Sequence, residues 1–295
     1  MSQSEAIVIA TYSRRMRIRL ADNVVADARI KGKKLKPVCG DRVAAEPIVG
    51  ENDWLITQVL PRDNELSRPN MRGKIEVLAA NIDLVIVVAA ASPQADWYIV
   101  DRYLCAAENM SADALVLFNK TDVATADEHF ADYARIGYEI LTCSATQRQN
   151  IERIDAKIGQ RTAIMVGQSG VGKSSIINAM LGDDAQRTAA ISDKTKEGRH
   201  TTVNSEMLEL PGGGQVIDSP GVRDYAPALS DRNQVMIGFR EIHSAGQDCH
   251  FANCRHLREP RCAVKAAVES GAISERRYES YRRLLALTER LDSQN

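Results

Sequence analysis

Residues 162–181, TAIMVGQSGVGKSSIINAML, consist of an apolar run, a glycine-rich turn and a second apolar segment with helical spacing. The turn fits G-x-x-x-x-G-K-[ST] between a strand and a helix, the context in which this pattern is specific. Its glycines let backbone N–H groups point at phosphates, Lys173 reaches the β- and γ-phosphates, and Ser174 offers a hydroxyl to Mg²⁺. The stretch predicts a nucleotide-binding α/β domain with a P-loop. Its expected nucleotide contacts are Gly167, Gln168, Ser169, Gly170, Val171, Gly172, Lys173 and Ser174.

Two shorter motifs that precede the P-loop predict that the bound base is guanine. Residues 119–122, NKTD, follow one apolar run, and the Ser-Ala pair at 144–145 follows the next. The Asp122 carboxylate can accept hydrogen bonds from guanine N1–H and the 2-amino group, whereas adenine has neither donor on that edge. A backbone N–H near Ala145 would meet guanine O6. The residues expected to hold the base are Asn119, Lys120, Thr121, Asp122, Ser144 and Ala145.

Residues 218–221, DSPG, supply a fourth motif, D-x-x-G. We expect Gly221 to contact the γ-phosphate and Asp218 to lie beside the bound Mg²⁺. Thr201 and Thr202, between the P-loop and this motif, are candidates for a threonine that binds Mg²⁺. Four motifs in one α/β domain together predict GTP binding. The expected magnesium site comprises Ser174, Thr201, Thr202 and Asp218.

The order of the motifs differs from that of an ordinary small GTPase, in which the P-loop comes first and the base motifs come last. Here the base motifs come first. Circular permutation is tolerated where the original termini lie close together on the surface. We expect residues 149–160, QNIERIDAKIGQ, to form the short helix that connects the base motifs to the P-loop strand. The chain after Gly221 then leads directly into the C-terminal domain, which ties the γ-phosphate-sensing segment to that domain.

The residue that positions the hydrolytic water is not evident from the motifs. Small GTPases place a glutamine just after D-x-x-G for this purpose, and this chain has Val222 there. The nearest candidate is His200, within residues 192–202, SDKTKEGRHTT. An imidazole at this point could orient water, and the position is equally compatible with a solvent-exposed loop residue.

The first 65 residues contain five short strand-like runs separated by turn residues, a pattern typical of a small β-barrel. We expect an OB-like fold, which binds oligonucleotides, with an SH3-like or purely structural barrel as the alternative. Residues 1–40 hold nine Lys and Arg against three Asp and Glu, which favours a nucleic-acid partner. Residues 61–73, PRDNELSRPNMRG, are expected to form a linker. The residues expected to dock on phosphates are Arg14, Arg15, Arg17, Arg19, Lys31, Lys33, Lys34 and Lys36.

Three of the six cysteines lie within fourteen residues near the C-terminus. Cys249, Cys254 and Cys262, together with His256, offer three thiolates and an imidazole, a complete tetrahedral set for structural zinc. His250 is a rival ligand, and a chance cluster of free cysteines is the simpler alternative. The segment around and after the cluster has a helical pattern. These features predict a helical zinc-binding domain.

The expected architecture is multidomain α/β, with an OB-like barrel in residues 1–65, a circularly permuted P-loop GTPase domain in 73–230, and a helical zinc-binding domain in 231–295. No apolar run reaches the ~18 residues needed to span a bilayer. The first residues lack the layout of a signal peptide, so we expect a cytoplasmic protein, a monomer with no membrane partner. Disulfides are rare in that compartment, and the scattered Cys39, Cys105 and Cys143 are expected to be buried.

In combination, NKTD, CSA, GQSGVGKSS, GRHTT, DSPGVR and the Cys-Cys-His-Cys cluster resemble the RsgA (YjeQ/YloQ) family of bacterial small-subunit-dependent GTPases, over nearly the whole chain. The resemblance implies an OB-fold, a permuted GTPase domain and a zinc-containing C-terminal domain. It implies late maturation of the small (30S) ribosomal subunit as the function, with rRNA binding and GTP hydrolysis stimulated by the particle. It further implies GTP contacts at Asn119–Asp122 and Gly167–Ser175, zinc on Cys249, Cys254, His256 and Cys262, and a hydrolytic role for His200.

Two other functions remain compatible with the motifs. A metallochaperone GTPase would deliver metal instead of keeping it, although a closed Cys₃His site and a basic barrel argue against this. An RNA-binding module could use the nucleotide solely as a conformational clamp, and Val222 in place of the usual glutamine keeps this alternative open.

Overall fold

The computed structural model describes residues 3–12, 15–32, 34–70, 73–182, 203–218, 225–229 and 231–292. Along the chain these residues form a barrel, a hairpin, an α/β sheet and a helical C-terminal part. This architecture confirms the expected multidomain α/β class, with an OB-like barrel, a central α/β domain and a helical C-terminal domain. Among the helices in these ranges, none has the length and hydropathy that a bilayer-crossing segment requires.

All five predicted strands of the barrel are present. They are β1 (Ser4–Tyr12), β2 (Met16–Leu20), β3 (Val25–Ile30), β4 (Arg42–Pro47) and β5 (Trp54–Val59). Their order is β1-β2-β3-β5-β4, and β4 pairs back with β1, so the sheet closes on itself. A closed five-stranded barrel of this kind confirms the OB-like prediction. Alternation along the strands buries Val8, Ile18, Val43 and Ile56 completely in its interior.

The linker prediction for residues 61–73 is wrong, because this stretch contains a strand. β6 (Glu65–Pro69) pairs antiparallel with β7 (Ile75–Ala80) in a separate two-stranded sheet. Arg62 donates to both carboxylate oxygens of the fully buried Asp41, at 2.7 and 2.9 Å, and so fastens the hairpin to the barrel. Proline and charged residues dominate the local composition and obscure the strand, which pairs with the next strand along the chain.

The central domain is a six-stranded sheet covered by helices on both faces. Its strands are β8 (Leu84–Ala90), β9 (Asp113–Asn119), β10 (Glu139–Thr142), β11 (Thr162–Gly167), β12 (Val203–Glu209) and β13 (Gln215–Asp218). The described helices are α1 (Trp97–Met110), α2 (Glu128–Arg135), α3 (Ile151–Ile158) and α4 (173–182). The strand order is β10-β9-β8-β11-β13-β12.

The first five strands of this order are parallel, and β12 at the end is antiparallel to β13. Apolar residues of α1 and α2 pack on one face of the sheet, and those of α3 and α4 pack on the other. Every residue of β8 is buried, as expected for a strand covered on both faces. Helix α3 is the predicted connection between the base motifs and the P-loop strand. Cys39, Cys105 and Cys143 are buried, as expected.

The barrel and the central domain form one continuous sheet. Strand β1 pairs antiparallel with β12, which gives eleven strands in all. Arg19 of β2 lies at this junction, 8% exposed, and forms an ion pair with Glu209 of β12. The expectation that Arg19 docks on external phosphates is therefore wrong, because its charge is buried and already neutralised. Arg17 on the same strand remains partly exposed, 3.8 Å from Asp27.

The described residues after 230 are helical and contain no strand. Their helices are α5 (Arg232–Ile237), α6 (Arg240–Gly246), α7 (Ala263–Glu269) and α8 (Glu275–Asp292). They enclose a small core to which α1 of the central domain contributes Cys105. The largest buried residues of this core are Phe239, Tyr281, Leu284 and Leu285.

A buried network of charges joins the C-terminal helices to the central domain. Asp101 of α1 has no exposed surface and lies 2.7 Å from Arg276 and 2.6 Å from Arg277 of α8. Arg277 also pairs with Glu241 of α6 at 2.6 Å, and the Tyr133 hydroxyl donates to Asp101 at 2.7 Å. Burial opposes ionisation of Asp101, but Arg277 and Arg276 outweigh it and hold the pKa of Asp101 below its ordinary value.

Asp101→Asn is expected to lower the free energy of unfolding by about 3 kcal/mol, because it leaves the buried Arg277 and the partly buried Arg276 short of a counter-charge. Since the pKa of Asp101 is lowered in the folded state, this stabilisation is present at neutral pH and is lost as the pH falls through that pKa. Urea unfolding of the whole protein measures it. The matched control is Asp113→Asn, which removes an exposed ion pair to Arg161 and should cost no more than about 0.5 kcal/mol. Equal costs for the two variants would contradict the role of the network.

Candidate nucleotide-binding site and metal centre

The P-loop, the two base motifs and Asp218, the first residue of the D-x-x-G motif, meet at one edge of the central sheet. The P-loop follows β11, residues 119–122 end and follow β9, the pair at 144–145 follows β10, and Asp218 ends β13. Because these strands are parallel, their carboxyl ends lie on the same side of the sheet. Open α/β sheets bind their ligands at that edge.

The P-loop glycines are required by close backbone contacts. Gly167 has a φ of 137°, and a Cβ atom there would lie 2.2 Å from the carbonyl oxygen of Val88. Gly172 has a φ of 95°, and a Cβ atom there would lie 2.4 Å from Asn119 Nδ2. The loop can therefore pack against β8 and the NKTD segment only with glycine at both positions.

Polar groups of the P-loop and β13 converge on the phosphate side of the site. Lys173 is 7% exposed, and its Nζ donates to the carbonyl oxygens of Gly167 and Gln168, both at 2.9 Å. Burial lowers the pKa of Lys173, and nearby Asp218 opposes that shift. Ser174 Oγ donates to Asp218 Oδ2 at 3.3 Å. Burial raises the pKa of Asp218, and Ser174 and Lys173 counteract it.

Asn119 holds the base-binding loops to the P-loop. Its side chain is buried, and Nδ2 donates to the carbonyl oxygen of Val171 at 2.9 Å. Its Oδ1 accepts from the Ala145 backbone N–H at 3.2 Å. The N–H that the sequence assigned to guanine O6 is thus bonded to Asn119 in this structure. Lys120 adds a second bridge, because its Nζ donates to the carbonyl oxygens of Ser92 and Gly170, at 2.5 and 2.7 Å.

Asp122 presents an ionised carboxylate to solvent at the end of the base-binding loops. Ser144 Oγ donates to its Oδ1 at 2.5 Å, and Thr146 Oγ1 lies 3.2 Å from its Oδ2. The hydrogen bond from Ser144 is the main reason that the pKa of Asp122 is lowered. Thr121, in contrast, turns inward and donates to the carbonyl oxygen of Cys143 at 3.0 Å.

Several of the sequence-predicted residues lie outside the described residues. These are His200, Thr201, Thr202 and Gly221. The structure adds residues that the motifs did not indicate. The Asp96 backbone N–H donates to the side-chain oxygen of Gln168 at 2.9 Å, and Asp96 also caps α1. An aspartate just before a helical pattern is a capping signal, whereas its bond to the P-loop has no local signal.

Four potential metal ligands cluster between α6 and α7. One ligand atom from each of Cys249, Cys254, His256 and Cys262 lies within 4.8 Å of the other three. His256 Nδ1 is 3.5 and 3.4 Å from the sulfurs of Cys249 and Cys262, and these sulfurs are 3.9 Å apart. Tetrahedral zinc with its usual bond lengths would separate two sulfurs by about 3.8 Å. The rival ligand His250 is exposed and outside this group.

The cluster is supported by the loop around it and by α8. Tyr278 and Tyr281 of α8 donate their hydroxyls to the carbonyl oxygens of His256 and Arg255. The Glu259 carboxylate accepts from three backbone N–H groups, those of Arg255, Leu257 and Arg258. Desolvation opposes ionisation of Glu259, but these donors together lower its pKa to about 2. Glu259 is an organising residue that the cysteine pattern did not indicate.

Comparison with known proteins places this arrangement among GTPases. A family model described as RsgA GTPase matches residues 59–227. The small ribosomal subunit biogenesis GTPase RsgA of Actinobacillus pleuropneumoniae serotype 5b is 37% identical over 300 residues, which cover 98% of this chain and 87% of the relative. The protein of that name in Ectopseudomonas mendocina is 40% identical over 255 residues, which cover 84% of this chain and 74% of the relative.

Solved structures of two proteins share the fold. YjeQ from Thermotoga maritima is 28% identical with a TM-score of 0.72, covering 97% of this chain and 99% of that chain. YloQ, described as a circularly permuted GTPase, is 24% identical with a TM-score of 0.71, covering 98% of this chain and 96% of that chain. A protein described as a circularly permuted GTPase therefore shares the fold of this chain.

Asp122→Asn is expected to weaken GDP binding by roughly 100-fold and to favour xanthosine diphosphate, because an amide can donate to the xanthine 2-oxo group and cannot accept both guanine donors. Equilibrium binding of GDP, xanthosine diphosphate and ADP measures the change. Asp22→Asn, an exposed aspartate of the barrel, is the control with the same change in charge. Equal affinity of the unmodified protein for GDP and ADP would contradict the base assignment.

Proposed function

Because this chain belongs to the RsgA GTPase family, we propose that it is a GTP hydrolase in the biogenesis of the small ribosomal subunit and acts on that particle. The observation that carries the proposal is the convergence of the P-loop, the two base motifs and Asp218 of D-x-x-G at one edge of the sheet, despite their permuted order. Its partners would be the small (30S) subunit, with its rRNA, and GTP or GDP. The bacterial cytoplasm, where ribosomes assemble, would be its location.

In the proposed site the phosphates lie on the P-loop and the base lies against Asp122. Lys173 would exchange its two carbonyl acceptors for phosphate oxygens, and Ser175 would add a contact at the start of α4. Mg²⁺ would neutralise phosphate charge, held by Ser174 with Asp218 close by. Thr201, Thr202 and Gly221, all outside the described residues, would complete the Mg²⁺ and γ-phosphate contacts.

We propose that the basic outer surface of the barrel contacts rRNA. Among the described residues, Arg15, Arg17, Lys31, Lys34 and Lys36 remain candidates after Arg19 is excluded, and the predicted Arg14 and Lys33 lie outside the described residues. Lys and Arg side chains that neutralise phosphates make binding dependent on salt. The interior of the barrel is filled by its own apolar side chains, which leaves its surface for a partner.

We propose one structural Zn²⁺ on Cys249, Cys254, His256 and Cys262. All four tetrahedral positions would be filled by protein, which leaves none for a substrate. The buried imidazole of His256 and the loop around Glu259 enclose the site, and this argues against rapid delivery of metal to another protein. The metallochaperone alternative is therefore less well supported than a structural role.

His256→Ala is expected to abolish stoichiometric zinc and to loosen the C-terminal helices, because metal-binding free energy in such a site is folding free energy. His250→Ala is the matched control and should retain one zinc per chain. Elemental analysis measures the zinc, and hydrogen exchange measures the protection of α7 and α8. Retention of one zinc by His256→Ala, or its loss from His250→Ala, would contradict the proposed ligand set.

GTP hydrolysis by the whole protein is expected to be slow alone and to rise at least about tenfold with small ribosomal subunits, because Val222 replaces the water-positioning glutamine. Phosphate release is measured with small subunits, with large subunits and with neither. Large subunits should have no effect. Absence of stimulation by small subunits would favour the alternative in which the nucleotide is a conformational clamp.

His200→Ala extends the same assay to the proposed catalytic residue. This variant should lose the stimulated rate and keep both its GTP affinity and its binding to small subunits. Stimulation equal to that of the unmodified protein would show that another group, such as the RNA, positions the water.

A further inference from the structure

A second hydroxyl, that of Thr146, lies within hydrogen-bond distance of the Asp122 carboxylate, which is expected to bind the base. Thr146 Oγ1 lies 3.2 Å from Asp122 Oδ2 and also 3.2 Å from Ser144 Oγ. The hydrogen of Ser144 is directed at Asp122 Oδ1, 2.5 Å away. An ionised oxygen is a stronger acceptor than a hydroxyl oxygen. The Thr146 hydroxyl therefore donates to Asp122, so each oxygen of the carboxylate has its own donor.

Two donors, one on each oxygen, fix the orientation of the Asp122 carboxylate, whereas a single donor would leave the carboxylate free to rotate. The last torsion of an aspartate side chain is broad, without sharp staggered minima. A bond from Ser144 alone holds one oxygen and lets the plane of the carboxylate rotate, whereas the added bond from Thr146 sets that plane. Guanine offers N1–H and its 2-amino group side by side in the plane of the base. Both are bound at full strength only when the Asp122 carboxylate lies in the same plane.

The carboxylate has enough acceptor sites for all four donors. An ionised carboxylate has about four lone-pair positions. Ser144 and Thr146 use one on each oxygen, which leaves one on each oxygen for the base. The hydrogen bond from Ser144, assisted by that from Thr146, lowers the pKa of Asp122 against a smaller effect of desolvation. Asp122 is therefore an acceptor at neutral pH.

The loop that carries Thr146 keeps its shape by other bonds. Ser144 and Gln149 exchange backbone hydrogen bonds at 3.0 and 3.2 Å, and Ser144 Oγ accepts from the Gln147 N–H at 3.1 Å. Ser144 is buried, whereas Thr146 is exposed and supports no core contact. Removing the Thr146 hydroxyl should therefore change the orientation of Asp122 without unfolding the loop.

We propose that Thr146 is a positioning residue for base specificity, whose hydroxyl holds Asp122 in the plane from which the 2-amino group of guanine is bound. The inference rests on the proposed nucleotide function and deepens it. It assigns the preference for guanine over hypoxanthine, which lacks the 2-amino group, to a residue beyond the aspartate itself.

The test compares Thr146→Val, which has nearly the same shape and no hydroxyl, with Thr146→Ser, which keeps the hydroxyl. GDP and inosine diphosphate are the probes, titrated against the whole protein with Mg²⁺. Thr146→Val should bind GDP about tenfold more weakly and inosine diphosphate at most about twofold more weakly. The reason is that a freely rotating Asp122 carboxylate weakens mainly its hydrogen bond with the guanine 2-amino group, which inosine diphosphate lacks. Thr146→Ser should retain the preference for GDP over inosine diphosphate, because it keeps the hydroxyl.

Gln147→Ala is the control, because Gln147 lies in the same loop and its side chain is exposed. Among the described residues, this side chain has no hydrogen-bond partner. The variant should leave both affinities unchanged. An unchanged GDP affinity in Thr146→Val, or equal losses for GDP and inosine diphosphate, would overturn the inference. ADP binding as tight as GDP binding in the unmodified protein would instead contradict the proposed nucleotide function.

Discussion

The buried ion pair of Asp101 with two arginines is the interaction on which the arrangement of the domains depends. Asp101 lies in the middle of α1, and Arg276 and Arg277 come from α8, so the pair holds the C-terminal helices against the central sheet. The same helix begins at Asp96, whose N–H is bonded to Gln168 of the P-loop. One helix thus contacts the P-loop at its start and the C-terminal helical domain along its length.

A second link follows from the permuted order of the motifs. The chain that leaves D-x-x-G reaches Tyr225, whose ring stacks on Tyr103 of α1 with centroids 4.1 Å apart. The Tyr225 hydroxyl also donates to the carbonyl oxygen of Ser67 in β6 at 3.2 Å. Tyr225, which lies between Asp218 and the C-terminal helices in the sequence, therefore packs on the same helix that carries Asp101.

Prediction succeeded for the family and the fold, where the signal is carried by short patterns. The P-loop, the NKTD segment and the cysteine cluster each place their groups within a few residues, and the strands of the barrel have a visible alternation. Prediction failed for Arg19, whose partner Glu209 lies 190 positions away, and for the linker that contains β6. It also missed the bond from Asp96 to Gln168, which spans 72 positions. The errors at Arg19 and at Asp96 share a cause, since each depends on a contact between distant segments, whereas β6 was missed although it pairs with the next strand along the chain.

By itself the sequence determined that this chain has a permuted GTPase domain between a barrel and a helical segment with a Cys₃His cluster, because motif chemistry and apolar periodicity are local properties. Only the tertiary structure decided that β1 and β12 unite barrel and domain in one sheet, that His256 and not His250 joins the cysteines, and that Thr146 shares Asp122 with Ser144. Such choices depend on which side chains packing brings together. That cannot be inferred from spacing along the chain, because the sheet pairs strands in an order different from their order in the sequence.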